Sequence, residues 1–328
     1  MSRPKVFVTR ILPDKGMEMI HAAADAEVWP EELPPSYEEL LRRVKGKDGL
    51  VCLLTDRIDA GLMEAAGGQL RVISQMAVGV DNIDLQAATA RGIPVGHTPG
   101  VLTDTTADFA FALLMTAARR VVEGDRYVKA GRWKTWGPTL LMGYDIHHAT
   151  LGIIGFGRIG QAVARRAQGF DMRVLYHDPH ASPESGERLG AKVSSLDDLL
   201  AASDFVSLHV PLTPETEHMI GQRELKLMKP TAVLVNTARG SIVDPEALYR
   251  ALVNGDIAAA ALDVTEPEPI ATDDPLLTLD NCIIVPHIAS SSLASRTRMA
   301  MMAADNLRAG LRGERLPHCA NPEVYDRA

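Results

Sequence analysis

The sequence predicts an α/β protein built from two doubly wound parallel-sheet domains. Short apolar runs alternate with segments of helical periodicity, a pattern typical of parallel sheets covered by helices. The chain has 328 residues, roughly the length of two ordinary domains. After a loop over residues 131–148 the alternation starts afresh, which indicates a second sheet.

The first block alternates strand and helix patterns from its beginning. The predicted strands are Lys5–Thr9, Ala26–Trp29, Gly49–Leu54, Leu70–Ser74 and Ile93–Gly96. The predicted helices cover residues 15–24, 37–44 and 85–90. No glycine-rich motif follows the first strand of this block, so the block does not resemble a nucleotide-binding domain.

The second block opens with a long helical pattern that begins at Thr103 or Asp104 and continues to Arg120. The hydroxyl and carboxylate oxygens of residues 103–106 suit a helix N-terminus. The strands expected after it are Ala149–Ile154, Met172–His177, Ala191–Val193, Phe205–Val210, Ala232–Asn236, Ala258–Asp263 and Cys282–Val285. Helices fill most of the gaps, and a last helix runs from about Ser292 to Leu311.

The two blocks meet near residues 98–103, and the chain returns to the first block in the loop around residues 286–292. We therefore expect a discontinuous first domain, residues 1–100 with 289–328, and an inserted domain, residues 101–288.

Composition excludes several classes of protein. The formal net charge is −8 and the pI is about 5.7, so the basic footprint of a nucleic-acid binder is missing. No apolar run approaches the ~18 residues of a membrane span, and no apolar signal segment follows the N-terminus. Cys52, Cys282 and Cys319 are far apart and predict neither disulfides nor a metal pair. The histidines show no HxH or HExxH spacing, so no metal is expected, and a cytoplasmic location fits.

A glycine motif of the form G-x-G-x-x-G follows the predicted strand 149–154. In dinucleotide-binding proteins the glycines make a tight turn, admit the pyrophosphate and let the helix pack closely, while the helix N-terminus attracts the phosphates. The motif alone is also compatible with a plain glycine-rich turn. The residues predicted to contact the cofactor here are Gly155, Phe156, Gly157, Arg158, Ile159 and Gly160.

Asp178 ends the next predicted strand, 18 residues after Gly160 (178 − 160). An acidic residue at about this distance accepts hydrogen bonds from ribose hydroxyls, and its charge repels a 2′-phosphate. The sequence therefore predicts NAD (NADH) rather than NADP, although Asp178 could also be a turn residue before proline.

Three polar side chains stand at strand ends or in a loop of the second block. Arg239 directly follows a strand, Glu268 lies in a proline-rich loop after Asp263, and His287 ends an apolar run. Reduction of a 2-keto acid needs a cation for the substrate carboxylate and an acid for the carbonyl oxygen, and a carboxylate favours the charged histidine. Arg239 could also be an ordinary surface arginine, and His287 could be a structural histidine.

These segments together resemble the D-isomer-specific 2-hydroxyacid dehydrogenase family, closest to its glyoxylate/hydroxypyruvate reductase branch. The resemblance extends over essentially the whole chain. It rests on the segments TLGIIGFGRIGQAVARR (150–166), VNTARGSIVD (235–244), AALDVTEPEP (260–269), VPHIASSS (285–292), MAVGVDNID (76–84) and GHTPGVLTDTTADFAFALL (96–114).

The resemblance implies a Rossmann coenzyme domain inserted into a flavodoxin-like substrate domain. It also implies reduction of a small 2-keto acid, most simply glyoxylate and also hydroxypyruvate, by NADH. Arg239 would bind the substrate carboxylate and carbonyl oxygen, His287 would be the acid/base, and Glu268, rather than Glu266, would be its partner.

Further site residues are implied only by the resemblance. The implied cofactor contacts are Thr106, Thr237, Ala238, Asp263, which would hold the nicotinamide carboxamide, and Ala289. The implied substrate contacts are Leu54, Val78, Gly79 and Trp136, the last reaching the active site of the partner in a homodimer. Trp136 could instead be a plain interface anchor.

The sequence departs from the family pattern at two places. Ala289 stands where family members commonly have glycine, which adds a methyl group near the nicotinamide. Asp178 and Pro179 replace the uncharged residue and nearby arginine of NADP-using members. The alternative function is a corepressor-like module that binds the dinucleotide without significant turnover.

Overall fold

The structure, a computed structural model, describes residues 3–327. The chain divides into two compact units. The first runs to Leu102 and resumes at Ser291, and the second is Thr103–Ser290. Within residues 3–327 no helix combines the length and apolar character that crossing a bilayer requires.

The first unit is a five-stranded sheet in which every pairing is parallel. Its strands are β1 (Lys5–Val8), β2 (Asp25–Val28), β3 (Gly49–Cys52), β4 (Val72–Gln75) and β5 (Val95–Gly96). Its helices are α1 (Asp14–Ala23), α2 (Tyr37–Arg43), α3 (Ala60–Ala66), α4 (Leu85–Ala90) and the C-terminal helix Leu293–Leu311. The strand order β2-β1-β3-β4-β5 is the flavodoxin-like order.

The second unit is a seven-stranded parallel sheet. Its strands are β6 (Thr150–Ile154), β7 (Arg173–His177), β8 (Lys192–Val193), β9 (Phe205–Leu208), β10 (Val233–Asn236), β11 (Ala259–Leu262) and β12 (Cys282–Ile284). Its helices are α5 (Thr103–Ala118), α6 (Val121–Lys129), α7 (Arg158–Gln168), α8 (Pro183–Glu187), α9 (Leu196–Ala202), α10 (Gln222–Leu227) and α11 (Pro245–Asn254).

The strand order of the second unit is β12-β11-β10-β9-β6-β7-β8, the Rossmann order with one strand added at an edge. The order reverses between β6 and β9, and ligands of open α/β sheets bind beyond the carboxyl ends of the strands at such a point. The predicted fold class, two doubly wound parallel sheets, is confirmed.

Apolar side chains cover both faces of the second sheet. One cluster packs Phe111 and Val163 from α5 and α7 against the sheet, and another packs Leu199 and Leu248 from α9 and α11. Because β6 is covered on both sides, all five of its residues are buried. This explains its continuous apolar sequence.

Two helices were absent from the predicted pattern. The predicted helix to Arg120 ends at Ala118 and is followed by α6, because Arg120 adopts a left-handed conformation with φ +52°. A non-glycine residue in that conformation gives no sequence signal. Helix α3 was missed although Asp59 caps it by accepting a hydrogen bond from the N–H of Leu62.

Candidate active site

The carboxyl ends of β10, β11 and β12 lie side by side at one edge of the second sheet. The N–H of Asp263 donates to the carbonyl of Asn236, and the N–H of His287 donates to the carbonyl of Asp263, both at 2.9 Å. The first bond continues the parallel register of β10 and β11, whereas the second departs by one residue from the register of β11 and β12. Since neighbouring strands are about 4.8 Å apart, the backbones leading to Arg239 and His287 are separated by about 10 Å.

Arg239 leaves β10 in a turn that Asn236 shapes. The buried Asn236 side chain accepts from the N–H of Ala238 at 3.0 Å and donates to the carbonyl of Arg239 at 2.8 Å. Gly240 follows because a Cβ there would lie 2.0 Å from the carbonyl oxygen of Thr265. The half-buried Arg239 is therefore presented by a turn pressed against the loop after β11.

His287 and Glu268 form a pair in the second unit. Nδ1 of His287 lies 2.6 Å from Oε1 of Glu268. The side chains are 23% and 33% exposed, so both stay accessible to a small molecule while the pair remains partly shielded from water. Because Nδ1 is in contact with a carboxylate, a proton exchanged with a ligand would pass through the other ring nitrogen, Nε2.

The backbone of His287 is strained. Its φ is +52°, an unusual value for a residue with a side chain, and such outliers are concentrated at functional sites. Its N–H lies within bonding distance of the carbonyls of Asp263 and Val285, at 2.9 and 3.0 Å. Together with the contact to Glu268, these bonds fix the direction of the imidazole.

Asp263 anchors the turn that follows His287. Its carboxylate accepts from the N–H of Ile288 at 2.6 Å and from the N–H of Ala289 at 2.9 Å. Burial raises the pKa of Asp263, and the two N–H groups oppose that rise. Asp263 therefore fixes the backbone beside His287, whereas the implied contact with a nicotinamide carboxamide stays a prediction.

The glycine loop after β6 makes a tight turn with close backbone contacts. Gly155 turns with φ +90°, and a Cβ there would lie 2.6 Å from the backbone of His209. A Cβ on Gly160 would lie 2.2 Å from the carbonyl oxygen of Gly155, so the start of α7 packs close to β6. A Cβ on Gly157 would meet nothing within 4 Å, so the loop is open at the N-terminus of α7.

Asp178 follows β7 and reaches the same loop. Its Oδ2 accepts from the N–H of Phe156 at 2.8 Å, and its Oδ1 accepts from the N–H of His180 at 2.8 Å. The carboxylate thus holds the glycine loop in place as well as bringing a negative charge to it. Arg158 and Ile159, in the first turn of α7, are exposed and half-buried.

Thr237 carries an unsatisfied hydroxyl at the carboxyl end of β10. Its Oγ1 is buried and has no hydrogen-bond partner among the described residues, which is costly unless a ligand supplies one. Thr106 on α5 and Ala289 are buried, and Ala238 is half-buried. The open loop at Gly157 and the unsatisfied Thr237 fit a bound dinucleotide.

His209, which sequence reasoning missed, lies directly after β9 beside the glycine loop. Its Nε2 is 2.8 Å from the hydroxyl of Ser207. Burial lowers the pKa of His209 to about 4, so the ring is neutral at physiological pH and does not supply positive charge to a phosphate.

The first unit holds Leu54, Val78 and Gly79 in loops after β3 and β4. The carbonyl of Val78 accepts from Nδ1 of His97 at 3.0 Å. A trans peptide places C=O and N–H on opposite sides, so the N–H of Gly79 points away from His97. The direction of this possible donor is thus fixed by the fold.

A buried amide network, also missed from the sequence, connects these two loops. Gln75 donates to the carbonyl of Gly79 at 2.6 Å, and Asn82 donates to the carbonyl of Leu53 at 3.1 Å. Gln75 and Asn82 are bonded to each other at 2.8–2.9 Å. An amide in VGVDNID carries no pattern that distinguishes such a role from an ordinary turn residue.

Trp136 lies in the loop after α6 and is 76% exposed. Eight of the fourteen exposed large hydrophobic side chains in the described part of the chain fall between residues 115 and 144. We call residues 115–144 the apolar segment.

Residues 111–289 match the family model of the D-isomer specific 2-hydroxyacid dehydrogenase, NAD binding domain. The chain belongs to the D-isomer specific 2-hydroxyacid dehydrogenase family. It is 57% identical to a glyoxylate reductase of Korarchaeum cryptofilum over 98% of this chain and 97% of that one. The resemblance read from the sequence motifs is confirmed.

Two solved structures show the same fold. A protein of Thermus thermophilus superposes with a TM-score of 0.90 at 48% identity, over 96% of this chain and 99% of that one. An NADPH-dependent glyoxylate/hydroxypyruvate reductase of Sinorhizobium meliloti, in complex with NADP and malonate, superposes with a TM-score of 0.85 at 30% identity, over 98% of each chain.

Proposed function

We propose that this dehydrogenase transfers a hydride from NADH to a small 2-keto acid, glyoxylate first and hydroxypyruvate second, and releases the 2-hydroxy acid. The observation that carries the proposal is the contact between His287 and Glu268 at the sheet edge that also presents Arg239. Relatives named glyoxylate reductase support the choice of substrate.

Arg239 binds the substrate. Its planar guanidinium matches a carboxylate with two parallel hydrogen bonds. The same cation draws electron density from the neighbouring carbonyl oxygen, which makes the carbonyl carbon more electrophilic. For Leu54, Val78 and Gly79 of the first unit, the substrate contacts that the family resemblance implies stay predictions.

His287 supplies the proton. As the carbonyl carbon gains a hydride, its oxygen becomes an alkoxide and takes a proton from Nε2. Glu268, at Nδ1, stabilises the imidazolium before transfer and keeps the ring in one orientation. In the reverse direction the neutral His287 accepts the proton of the hydroxy acid.

The second unit holds the nicotinamide cofactor. Bound NADH supplies the hydride. The Gly155–Gly160 loop and the N-terminus of α7, with Phe156, Arg158 and Ile159, would hold the pyrophosphate, and the bound cofactor would offer a polar partner to the unsatisfied hydroxyl of Thr237. Thr106, Ala238, Asp263 and Ala289 would line the nicotinamide side.

Asp178 makes NADH the preferred cofactor. Its carboxylate lies at the glycine loop, where it would accept from the ribose hydroxyls of the cofactor and would repel a 2′-phosphate. A corepressor-like module without turnover has no specific observation in its favour, since Arg239, Glu268 and His287 are all present. The free cysteines support a reducing, cytoplasmic location.

A second copy of the chain is the proposed partner of the apolar segment. Trp133, Trp136 and Met142 are 58%, 76% and 64% exposed, and exposed apolar surface of this kind marks interfaces. The segment is held firmly, because the N–H of Tyr144 donates to the carbonyl of Ala118 at 2.9 Å. We therefore propose a homodimer in which Trp136 contacts the partner.

We expect His287→Asn to remove nearly all NADH oxidation with glyoxylate while the Kd for NADH stays within about twofold.

Arg239→Ala should cost roughly 2–5 kcal/mol in kcat/KM, because a charge pair to the carboxylate is lost. Steady-state kinetics and fluorescence titration of NADH measure both. The proposal is wrong if NADH binds to the parent chain but no 2-keto acid of a panel is reduced, or if His287→Asn is fully active.

We expect Asp178→Ala and Asp178→Asn to lower the preference for NADH over NADPH at least about tenfold. A like-charge repulsion of roughly 1–4 kcal/mol disappears in both variants, whereas Asp178→Asn keeps an acceptor for the glycine loop. The measurement is the ratio of kcat/KM values for the two cofactors. If both values fall together and their ratio is unchanged, Asp178 only anchors the loop.

We expect the double variant Trp133→Asp/Met142→Asp to sediment as a monomer while the parent chain sediments as a dimer. Two buried charges without partners are incompatible with an apolar interface. Leu33→Asp, at a side chain that is 74% exposed and outside the apolar segment, is the control and should stay dimeric. A monomeric parent, or a double variant that remains dimeric, contradicts this interface.

A further inference from the structure

The loop that carries Glu268 contains a second histidine–glutamate pair. Glu266, two residues before Glu268, lies with its Oε2 2.6 Å from Nε2 of His218. The two side chains are 32% and 44% exposed. His218 belongs to the loop between β9 and α10, and neither residue has a part in the chemistry described above.

The backbone of His218 is also hydrogen-bonded to the segment that follows Arg239. Its N–H donates to the carbonyl of Ser241, two residues after Arg239, at 2.7 Å. Two residues further on, Ile220 and Val243 form a parallel bridge. The backbone of His218 is thus fixed to the segment after β10, and its side chain is fixed to the loop after β11.

The contacts of His218 hold its backbone in an unfavourable conformation. Its φ is +49°, a left-handed value that costs free energy in a residue with a side chain. Its environment is anionic, with Glu266 in contact, Asp244 before α11 and Glu217 in its own loop. Hydrogen bonding to Glu266 raises the pKa of His218, which favours a charged pair.

The close approach at Gly240 makes the same region rigid. A Cβ on Gly240 would lie 2.0 Å from the carbonyl oxygen of Thr265, so the turn after Arg239 and the residue before Glu266 are already in contact. The contact between the side chains of His218 and Glu266 is a second link to the same loop. It lies two residues before Glu268.

We propose that His218 and Glu266 are positioning residues that lock the Glu268 loop onto the Arg239 turn, so that Glu268 meets His287. They touch neither substrate nor cofactor in this proposal. The inference rests on the proposed function for its kinetic readout, whereas its structural readout is independent of that function.

The test compares His218→Ala, Glu266→Gln and the conservative His218→Gln, whose amide can still donate to Glu266. Lys229→Ala is the matched control. Lys229 pairs with Asp204 at 2.7 Å with similar exposure, 36% and 35%, but it lies before β10, at the opposite edge of the same sheet.

We expect His218→Ala to lower kcat with glyoxylate by between about tenfold and 10²-fold, because small misplacements of catalytic groups have effects of this size. The Kd for NADH should change by less than about twofold. Glu266→Gln should give a smaller loss in the same direction, and His218→Gln should recover most of the activity. Combining His218→Ala with Glu266→Gln should add little, since both remove one contact.

The structural readout is a crystal structure of His218→Ala. We expect the separation of His287 Nδ1 and Glu268 Oε1 to exceed hydrogen-bond distance, or Glu268 to occupy several rotamers, while Lys229→Ala keeps the parent geometry. The proposal is overturned if His218→Ala retains both the parent kcat and the parent separation. It is also overturned if His218→Ala and Lys229→Ala lose activity equally, since that outcome reflects general stability. If the parent chain reduces no 2-keto acid, the proposed function is refuted. The positioning role of His218 and Glu266 is then tested by the crystal structures alone.

Discussion

Parallel pairing of β10, β11 and β12 brings the carboxyl ends of three strands to one edge of the sheet, and a candidate site residue follows each strand. The bond from Asp263 to Asn236 continues the register of β10 and β11, and the bond from His287 to Asp263, one residue out of register, ties the chain after β12 to the end of β11. If that register slipped by one residue, every side chain at this edge would change direction. The relative placement of Arg239, Asp263 and His287 is therefore a property of the sheet.

The loops beyond the strands refine this placement with side-chain contacts. Asp263 fixes the turn after His287 through two backbone N–H groups, and Glu268 fixes the imidazole itself. The strained φ of His287 is held by these bonds. These side chains are held in place without a ligand, so in the proposed reaction little reorganisation would be needed as charge develops on the substrate oxygen.

Much of this arrangement was predictable from the sequence, because it depends on strong local signals. Apolar runs placed the strands, and residues such as Arg239 and His287 stood out as polar groups ending them. What was missed depends on tertiary contacts: α6 follows a left-handed arginine, Asn236 shapes a turn from inside the sheet, and His218 meets Glu266 across 48 residues. A pairing of that kind leaves no periodic pattern in either segment.

The most direct test of the account is a single-turnover measurement on Glu268→Gln preloaded with NADH and mixed with glyoxylate in a stopped-flow instrument. This substitution preserves shape and removes the charge that faces Nδ1 of His287. We expect the rate constant for NADH oxidation to fall by about 10²-fold or more, with NADH affinity unchanged. A rate constant within about threefold of the parent value would contradict a catalytic role for the pair, since the acid would then act without its carboxylate.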